Sequence, residues 1–193
     1  MRKAFKLLEI TFAAVALVGL VMRISLLKGG DFLLVLSLGL LSVLYFAGGY
    51  FQGSPNLKSA DGPATEGAAV KIWGGILFST GIVGVAGTLL FWQGFGLHLL
   101  IGLFGSLALL LGLFLTARKS NGPVASAVFN RGAIIALLCA AVWLVPKATL
   151  FGLFHRDDPQ LVEKWNGVQQ HPKDPVYQAD FDAYRRQKYS SSK

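Results

Sequence analysis

The side chains that could carry out chemistry are few, and they lie far apart in the sequence. The three histidines, His98, His155 and His171, occupy separate segments, and Cys139 is the single cysteine. A metal site needs several nitrogen, sulfur or carboxylate ligands at close spacing. The sequence therefore predicts no metal site and no bound cofactor.

Hydroxyl groups offer equally weak support for catalysis. Ser25, Ser37, Ser42, Ser79 and Thr80 lie in or beside apolar stretches, and none forms a motif with a histidine that could act as its base. In membrane helices such groups usually bond to the chain itself or to a neighbouring helix. We expect no catalytic residues and no enzymatic activity.

Besides Lys71 at the edge of its segment, three charged residues lie within apolar segments, where an ionisable side chain is costly and marks a candidate polar site. Glu9 follows Lys6 by one helical turn, which favours an ion pair at the membrane surface over a proton-carrying role. Arg23 is expected to extend to the opposite surface. Lys147 follows Pro146, and it is expected either to extend to the membrane surface or to line a polar cavity.

The elements that carry these residues are long apolar segments. Of the 193 residues, 53% are hydrophobic and 15% are charged, and the mean hydropathy is +0.55, whereas a soluble domain has a more polar composition. Five segments approach the roughly 20 residues that a helix needs to cross a bilayer. The sequence predicts an all-α polytopic integral membrane protein with spans at 7–27, 32–51, 70–92, 97–117 and 132–154.

The connections between these segments organise the chain. Residues 28–31 and 92–96 are long enough only for tight turns, so the first four spans are predicted to form two antiparallel hairpins. A loop rich in proline and small residues, 52–69, separates the hairpins. Residues 1–154 form the predicted transmembrane domain, and residues 155–193 form a soluble tail.

Basic residues account for the net charge of +8 and indicate the orientation. They gather at one set of span ends, and cytoplasmic loops carry such an excess, so we expect a bacterial cytoplasmic membrane protein with a cytoplasmic N-terminus. Nucleic acid is not an expected partner. The tail is periplasmic if segment 132–154 crosses the membrane, and cytoplasmic if that segment only dips in. The residues on the cytoplasmic side are Arg2, Lys3, Lys6, Lys58, Lys71, Arg118, Lys119 and Arg131, and the opposite short loops hold Arg23 and Lys28.

Glycines recur at helical spacing in the third and fourth segments. Small residues let membrane helices approach closely, because lipid supplies no hydrophobic drive for association. The pattern predicts a tightly packed antiparallel pair, with a substrate path or an oligomer contact as the alternative. The glycines concerned are Gly81, Gly84 and Gly87 in the third segment and Gly102, Gly105 and Gly112 in the fourth.

The tail contains two sequences typical of helix starts. Asp158-Pro159 and Asp174-Pro175 each place a capping carboxylate before a proline that suits the first helical position. Each predicted helix has one apolar face, which could form a hairpin, lie on the membrane or bind a partner. The aromatic residues that we assign to partner binding are Trp165, Tyr177, Phe181 and Tyr184.

Residues 5–50 carry a more specific pattern. A basic residue and a tight glycine turn join two apolar helices, in VMRISLLKGGDFLL (21–34) followed by LGLLSVLYF (38–46). This hairpin resembles that of small uncharacterised Bacteroidota membrane proteins and, more distantly, the N-terminal hairpin of the gliding-motility and type 9 secretion motor subunit GldL. The resemblance implies a shared hairpin architecture. In the motor subunit the hairpin holds a histidine and a membrane glutamate where this chain has Leu26 and Val43, which speaks against proton-driven motor activity.

These observations favour an accessory or scaffold subunit of a membrane complex. Its expected partners are the lipid bilayer and other membrane proteins or further copies of itself. The alternative is a small transporter or channel component, with Lys147 and the glycine faces lining the path.

Overall fold

The chain folds into helices throughout its described parts. A computed structural model describes residues 2–53, 64–117 and 123–190, and the side chains within 4–49, 69–115 and 128–188. The all-α fold of a polytopic membrane protein is thereby confirmed. The helices are α1 (Arg2–Ile24), α2 (Gly30–Gly53), α3 (Ala64–Leu89), α4 (Phe95–Ala117), α5 (Pro123–Leu144), α6 (Lys147–Phe154), α7 (Pro159–Gln170) and α8 (Pro175–Ser190).

The first four helices are long and apolar enough to cross a bilayer. Their candidate spans are Ala4–Ile24, Gly30–Gly49, Ala69–Leu89 and Phe95–Leu115, and at 1.5 Å per residue each covers about 30 Å. α3 packs against α2, α4 and α5 and is the most buried of these spans. The outer surfaces expose leucine, valine and phenylalanine side chains, which suits contact with lipid.

Each predicted hairpin is closed by a turn between its two helices, and the two turns have the same geometry. After α1, Leu27 N–H donates to Met22 O, and after α3, Trp92 N–H donates to Gly87 O. This bond closes a Schellman motif, which requires a residue with positive φ just past the helix. Leu26 (φ 58°) and Phe91 (φ 57°) occupy that position. We call the end of the bundle that carries both turns the turn end.

The fifth span differs from its prediction over 132–154. α5 ends at Leu144, and α6 leaves it at an angle of 88°. Pro146 causes the break, because proline has no N–H to donate and its ring blocks the preceding turn of a helix. The helix that runs beside the other spans is therefore α5, whose 22 residues cover about 33 Å.

The direction of α5 places α6 at the turn end. Arg131, early in α5, bonds to Glu9 near the start of α1, while Cys139 lies against Gly81 in α3. α5 thus runs parallel to α3 and ends where α3 ends. Lys147, expected either to extend to the membrane surface or to line a polar cavity, is an exposed residue at the start of α6. Beyond it, α6, α7 and α8 cover the turn end, and we call these three helices the cap.

Glycines bring α3 and α4 into backbone contact. A Cβ added at Gly81 would lie 3.3 Å from Gly102 Cα, and one added at Gly84 would lie within 2.7 Å of three backbone atoms of His98 and Leu99. Gly87 and Gly105 face side chains of the opposite helix, Phe95 and Leu77 respectively. These contacts fill the space that a substrate path between the helices would need.

Gly112 was predicted to share this packed face. It lies seven residues, close to two helical turns, beyond Gly105 and therefore on the same side of α4. Among the described residues, a Cβ added at Gly112 would meet nothing within 4 Å, so the close approach of α3 and α4 is made by the other predicted glycines. An equally close contact that we did not predict joins α2 to α3, where a Cβ added at Gly49 would lie 2.7 Å from Gly75 Cα.

A leucine should be tolerated at Gly39, an exposed position of α2 where an added Cβ would meet nothing within 4 Å, but not at Gly102. We expect Gly102→Leu to lower the free energy of unfolding by about 1–3 kcal/mol, because the added side chain overlaps the backbone of α3. The matched control Gly39→Leu should change it by less than about 0.5 kcal/mol. Thermal unfolding in detergent micelles measures both, and equal midpoints for the two variants would contradict the packing described here.

Candidate functional site

A partly buried ion pair holds three helices together at the end of the bundle opposite the turns. Arg131 donates from Nε to Glu9 Oε1 and from Nη2 to Glu9 Oε2, both at 2.8 Å. Tyr45 Oη donates to the same Oε1 at 2.5 Å. The expected pairing of Glu9 with Lys6 is wrong, since the carboxylate binds a cation 122 residues away.

This arrangement pairs the two charges with each other. The Arg131 guanidinium lies 4.9 Å from the centre of the Phe5 ring, so an aromatic face covers it while the carboxylate holds its edge. Two parallel N–H···O bonds are the strongest geometry available to such a pair, and a charge within a membrane needs a partner. Glu9 therefore joins α1, α2 and α5, and its contacts are those of a structural group.

Hydroxyl groups in the spans also serve the packing. Ser42 Oγ and Ser79 Oγ lie 2.7 Å apart and link α2 to α3. Thr80 donates to Ile76 O at 2.8 Å and Ser37 to Leu33 O at 2.5 Å, each within its own helix. These bonds are the kind expected from the sequence for hydroxyl groups in membrane helices.

A second charged group is buried at the turn end. The Arg23 side chain is only 9% exposed, and its Nη1 lies 2.5 Å from Asp31 Oδ1. Its guanidinium carbon lies 4.6 Å from the centre of the Phe154 ring and 6.0 Å from that of Phe91. Arg23 reaches the end of the spans as predicted, but α6 covers it there. The side chain thus binds the bundle to the cap.

Stacked rings extend this contact across the cap. Phe151 stacks on Trp165 with ring centres 4.6 Å apart and on His155 with centres 4.2 Å apart. Phe91, from the α3–α4 turn, meets Trp165 edge-on at 6.0 Å, and Phe181 of α8 lies 5.6 Å from Trp165. Such ring pairs stabilise the folded state by more than the burial of their apolar surface alone would give. The turn, α6, α7 and α8 therefore share one aromatic cluster.

The cap and the turn end enclose a cavity of about 690 Å³. Its volume falls in the range of sites for small ligands, about 300–1,000 Å³. We call this space the turn-end cavity; its polar lining includes Arg23, Asp31, His155, Trp165, Asp182 and Arg185.

The pKa of His155 responds to these surroundings. Burial lowers this pKa below its usual range, and the nearby Arg23 lowers it further, so the imidazole is neutral at pH 7.

Asp158 organises the outer half of the cap. Its Oδ1 accepts from Leu161 N at 3.2 Å, which caps α7, and from Tyr184 Oη at 2.9 Å. Lys188 donates to Oδ2. Burial alone would raise the pKa of Asp158, but the hydrogen bonds from Lys188, Leu161 and Tyr184 together hold it below its usual value. A buried carboxylate thus joins the start of α7 to the end of α8.

The four aromatic residues assigned to partner binding lie in different surroundings. Trp165 and Phe181 pack in the aromatic cluster of the cap, and Tyr184 bonds to Asp158. Tyr177 is 40% exposed and stacks on His171 with ring centres 4.5 Å apart. The structure therefore uses three of these residues to hold the chain together, and only Tyr177 presents a large exposed surface.

The histidines stay apart in the folded chain. His98 is exposed and stacks on Phe95 with ring centres 5.2 Å apart, at the start of α4. His155 lies in the cap cluster and His171 in the α7–α8 turn. Among the residues that the structure describes, no three histidine, cysteine, aspartate or glutamate side chains converge as metal ligands would.

In comparisons with known proteins, no family model, no curated protein and no solved structure matches this chain. The resemblance of residues 5–50 to the GldL hairpin stays a prediction. In the structure Leu26 lies in the α1–α2 turn, and Val43 is exposed on the outer surface of α2.

The Asp158 contacts predict that α8 leaves the cap in acid. Because the folded-state pKa of Asp158 is depressed, its stabilisation is present above the ordinary value of 3.8 and is lost as the pH falls through the folded-state value. Asp158→Asn keeps a capping side chain but removes the charge, so α8 should be undocked at pH 7.

Fluorescence anisotropy of a dye on Arg186→Cys, in a Cys139→Ala background, measures this docking. In the parent protein the anisotropy should be high from pH 7 to about pH 4 and should fall at lower pH. In Asp158→Asn the anisotropy should be low over the whole pH range. Asp180→Asn, which removes an exposed carboxylate of α8 bonded to Lys164, is the control and should keep the acid transition. High anisotropy of Asp158→Asn at pH 7 would refute the role of Asp158.

Proposed function

We propose that this chain is a non-enzymatic accessory or scaffold subunit of a membrane complex, and that its cap contacts the partner. The contacts inside the bundle support this role. Glu9 and Arg131 bond to each other, and Gly81 and Gly102 are in contact. The polar and small residues of the spans thus maintain the fold, and the cap remains as the folded part that other proteins can reach.

One observation carries the proposal. Among the described residues beyond Leu153, the large apolar side chains with an exposed surface are Val176, at 69%, and Tyr177, at 40%. They are adjacent in the first turn of α8, and lipid does not account for them as it does for the exposed leucines of the spans. Exposed apolar groups outside the membrane favour a contact with protein.

We also propose an orientation. The cap lies at the turn end, whereas α1 begins at the opposite end, where Lys6, Lys71 and Arg131 are found. An excess of basic residues is typical of the cytoplasmic side, so the N-terminus is cytoplasmic. In a bacterial cytoplasmic membrane the cap is then periplasmic, and its partners are periplasmic parts of other membrane proteins.

A transport role has less support from the same geometry. It depended on Lys147 and on the glycine faces as the lining of a path. Lys147 lies exposed at the start of α6. Gly81, Gly84, Gly87, Gly102 and Gly105 lie against the opposite helix of the α3–α4 pair.

Affinity purification in mild detergent at native expression level, followed by mass spectrometry, tests the proposal. We expect a stoichiometric partner, and we expect Val176→Ser with Tyr177→Ser to lower its recovery at least about tenfold, as loss of an interface anchor does. Gln169→Ser, an exposed polar position on α7, is the control and should leave recovery unchanged. A homo-oligomer without partners, or equal recovery with all variants, would contradict the scaffold role.

A further inference from the structure

The turn-end cavity lies where the hydrocarbon region ends. Arg23 is the penultimate residue of the span Ala4–Ile24, and Leu90 follows the span Ala69–Leu89 directly. The remaining walls belong to the start of α2, the α3–α4 turn and the cap. A cavity at this depth opens at the level of lipid headgroups, and its volume of about 690 Å³ is large enough for a headgroup with its glycerol.

Two buried donors in the cavity lining lack acceptors. Arg23 Nε and Trp165 Nε1 are inaccessible to solvent, and among the described residues neither has a hydrogen-bond partner. Buried polar groups are normally bonded, and both of these groups can only donate. A ligand that these donors bind after turning toward the cavity must be rich in acceptor oxygens, and an arginine beside an N–H donor suits phosphate in particular.

The charges of the lining are balanced. Arg23 and Arg185 face the same space as Asp31 and Asp182, so a purely anionic ligand would meet two carboxylates. A ligand that carries an ammonium group as well as a phosphate matches both signs. The rings of Trp165 and Phe181 also line the cavity, and aromatic faces attract an ammonium group.

We propose that the turn-end cavity binds the headgroup of a zwitterionic phospholipid of the ethanolamine type. The phosphate accepts hydrogen bonds from Arg23 and Trp165, and the ammonium group lies beside Asp182. The bound lipid then joins the bundle, the cap and the bilayer, so the chain recognises a lipid class as well as a protein. This inference is independent of the scaffold proposal, because it concerns residues on the inner side of the cap.

Lipid retention by the purified full-length chain tests the inference. The protein is exchanged into detergent with equal amounts of phosphatidylethanolamine and phosphatidylglycerol, and native mass spectrometry counts the lipids that remain bound. We expect one retained phosphatidylethanolamine per chain, at least about tenfold over phosphatidylglycerol, as a paired charge at the headgroup amine would give. Equal retention, or a preference for phosphatidylglycerol, would overturn the assignment.

Conservative variants test the phosphate contact and the ammonium contact of the headgroup separately. Trp165→Phe keeps the stacked ring but removes the donor, so retention should fall about tenfold. Asp182→Asn keeps the shape and should abolish the preference between the two lipids, whereas Asp180→Asn, a carboxylate that bonds to Lys164 instead, should preserve it. Unchanged binding in Trp165→Phe and Asp182→Asn would overturn the proposal.

A competition measurement identifies the source of the phosphate. Inorganic phosphate or phosphoethanolamine is added to the lipid-loaded protein at millimolar concentration. Continued retention of the lipid supports a membrane ligand. Complete displacement, with the small molecule bound in place of the lipid, would overturn the lipid assignment in favour of a soluble phosphate compound.

Discussion

A charge inside a bilayer has no water to solvate it, so it must find a partner within the protein. Two such charges determine how this bundle is assembled. At one end Glu9 binds Arg131 and Tyr45, which joins α1 to α2 and α5. At the turn end Arg23 binds Asp31 and lies under an aromatic ring of α6. α1, the least buried span, is thus held at both ends by pairing of charge.

Arg23 also explains why the chain beyond α5 forms a cap. Pro146 ends α5 and turns the chain through 88°, which lays α6 across the bundle. Phe151 and Phe154 of α6 then meet Phe91 of the α3–α4 turn. The cavity, with its unpartnered donors, lies at this junction, so the same contacts that dock the cap create the candidate site for a lipid.

Features that depend on neighbours in the sequence could be predicted. The four apolar spans, the tight turns and the prolines that begin α7 and α8 are local patterns, and the contact between Gly81 and Gly102 follows from small residues on facing helices. Pairings between distant segments could not be predicted. Glu9 and Arg131, for example, lie 122 residues apart. The amphipathic pattern around Trp165 indicates that another part of the chain covers this ring, but it does not show which part. Pro146 carried a local signal for the bend, yet its angle depends on the packing of Phe151 and Phe154.

The docking of the cap on the turn end is tested most directly by nuclear Overhauser contacts between aromatic rings. Phe91 belongs to the bundle and Trp165 to α7, with ring centres 6.0 Å apart. In detergent micelles or nanodiscs, with the Phe91 signal assigned from a Phe91→Leu sample, we expect a contact between their ring protons. The pair Trp165 and Phe181 reports whether the cap itself is folded. A contact within that pair but none from Trp165 to Phe91 would show a folded cap that is not docked, and would contradict the structure described here.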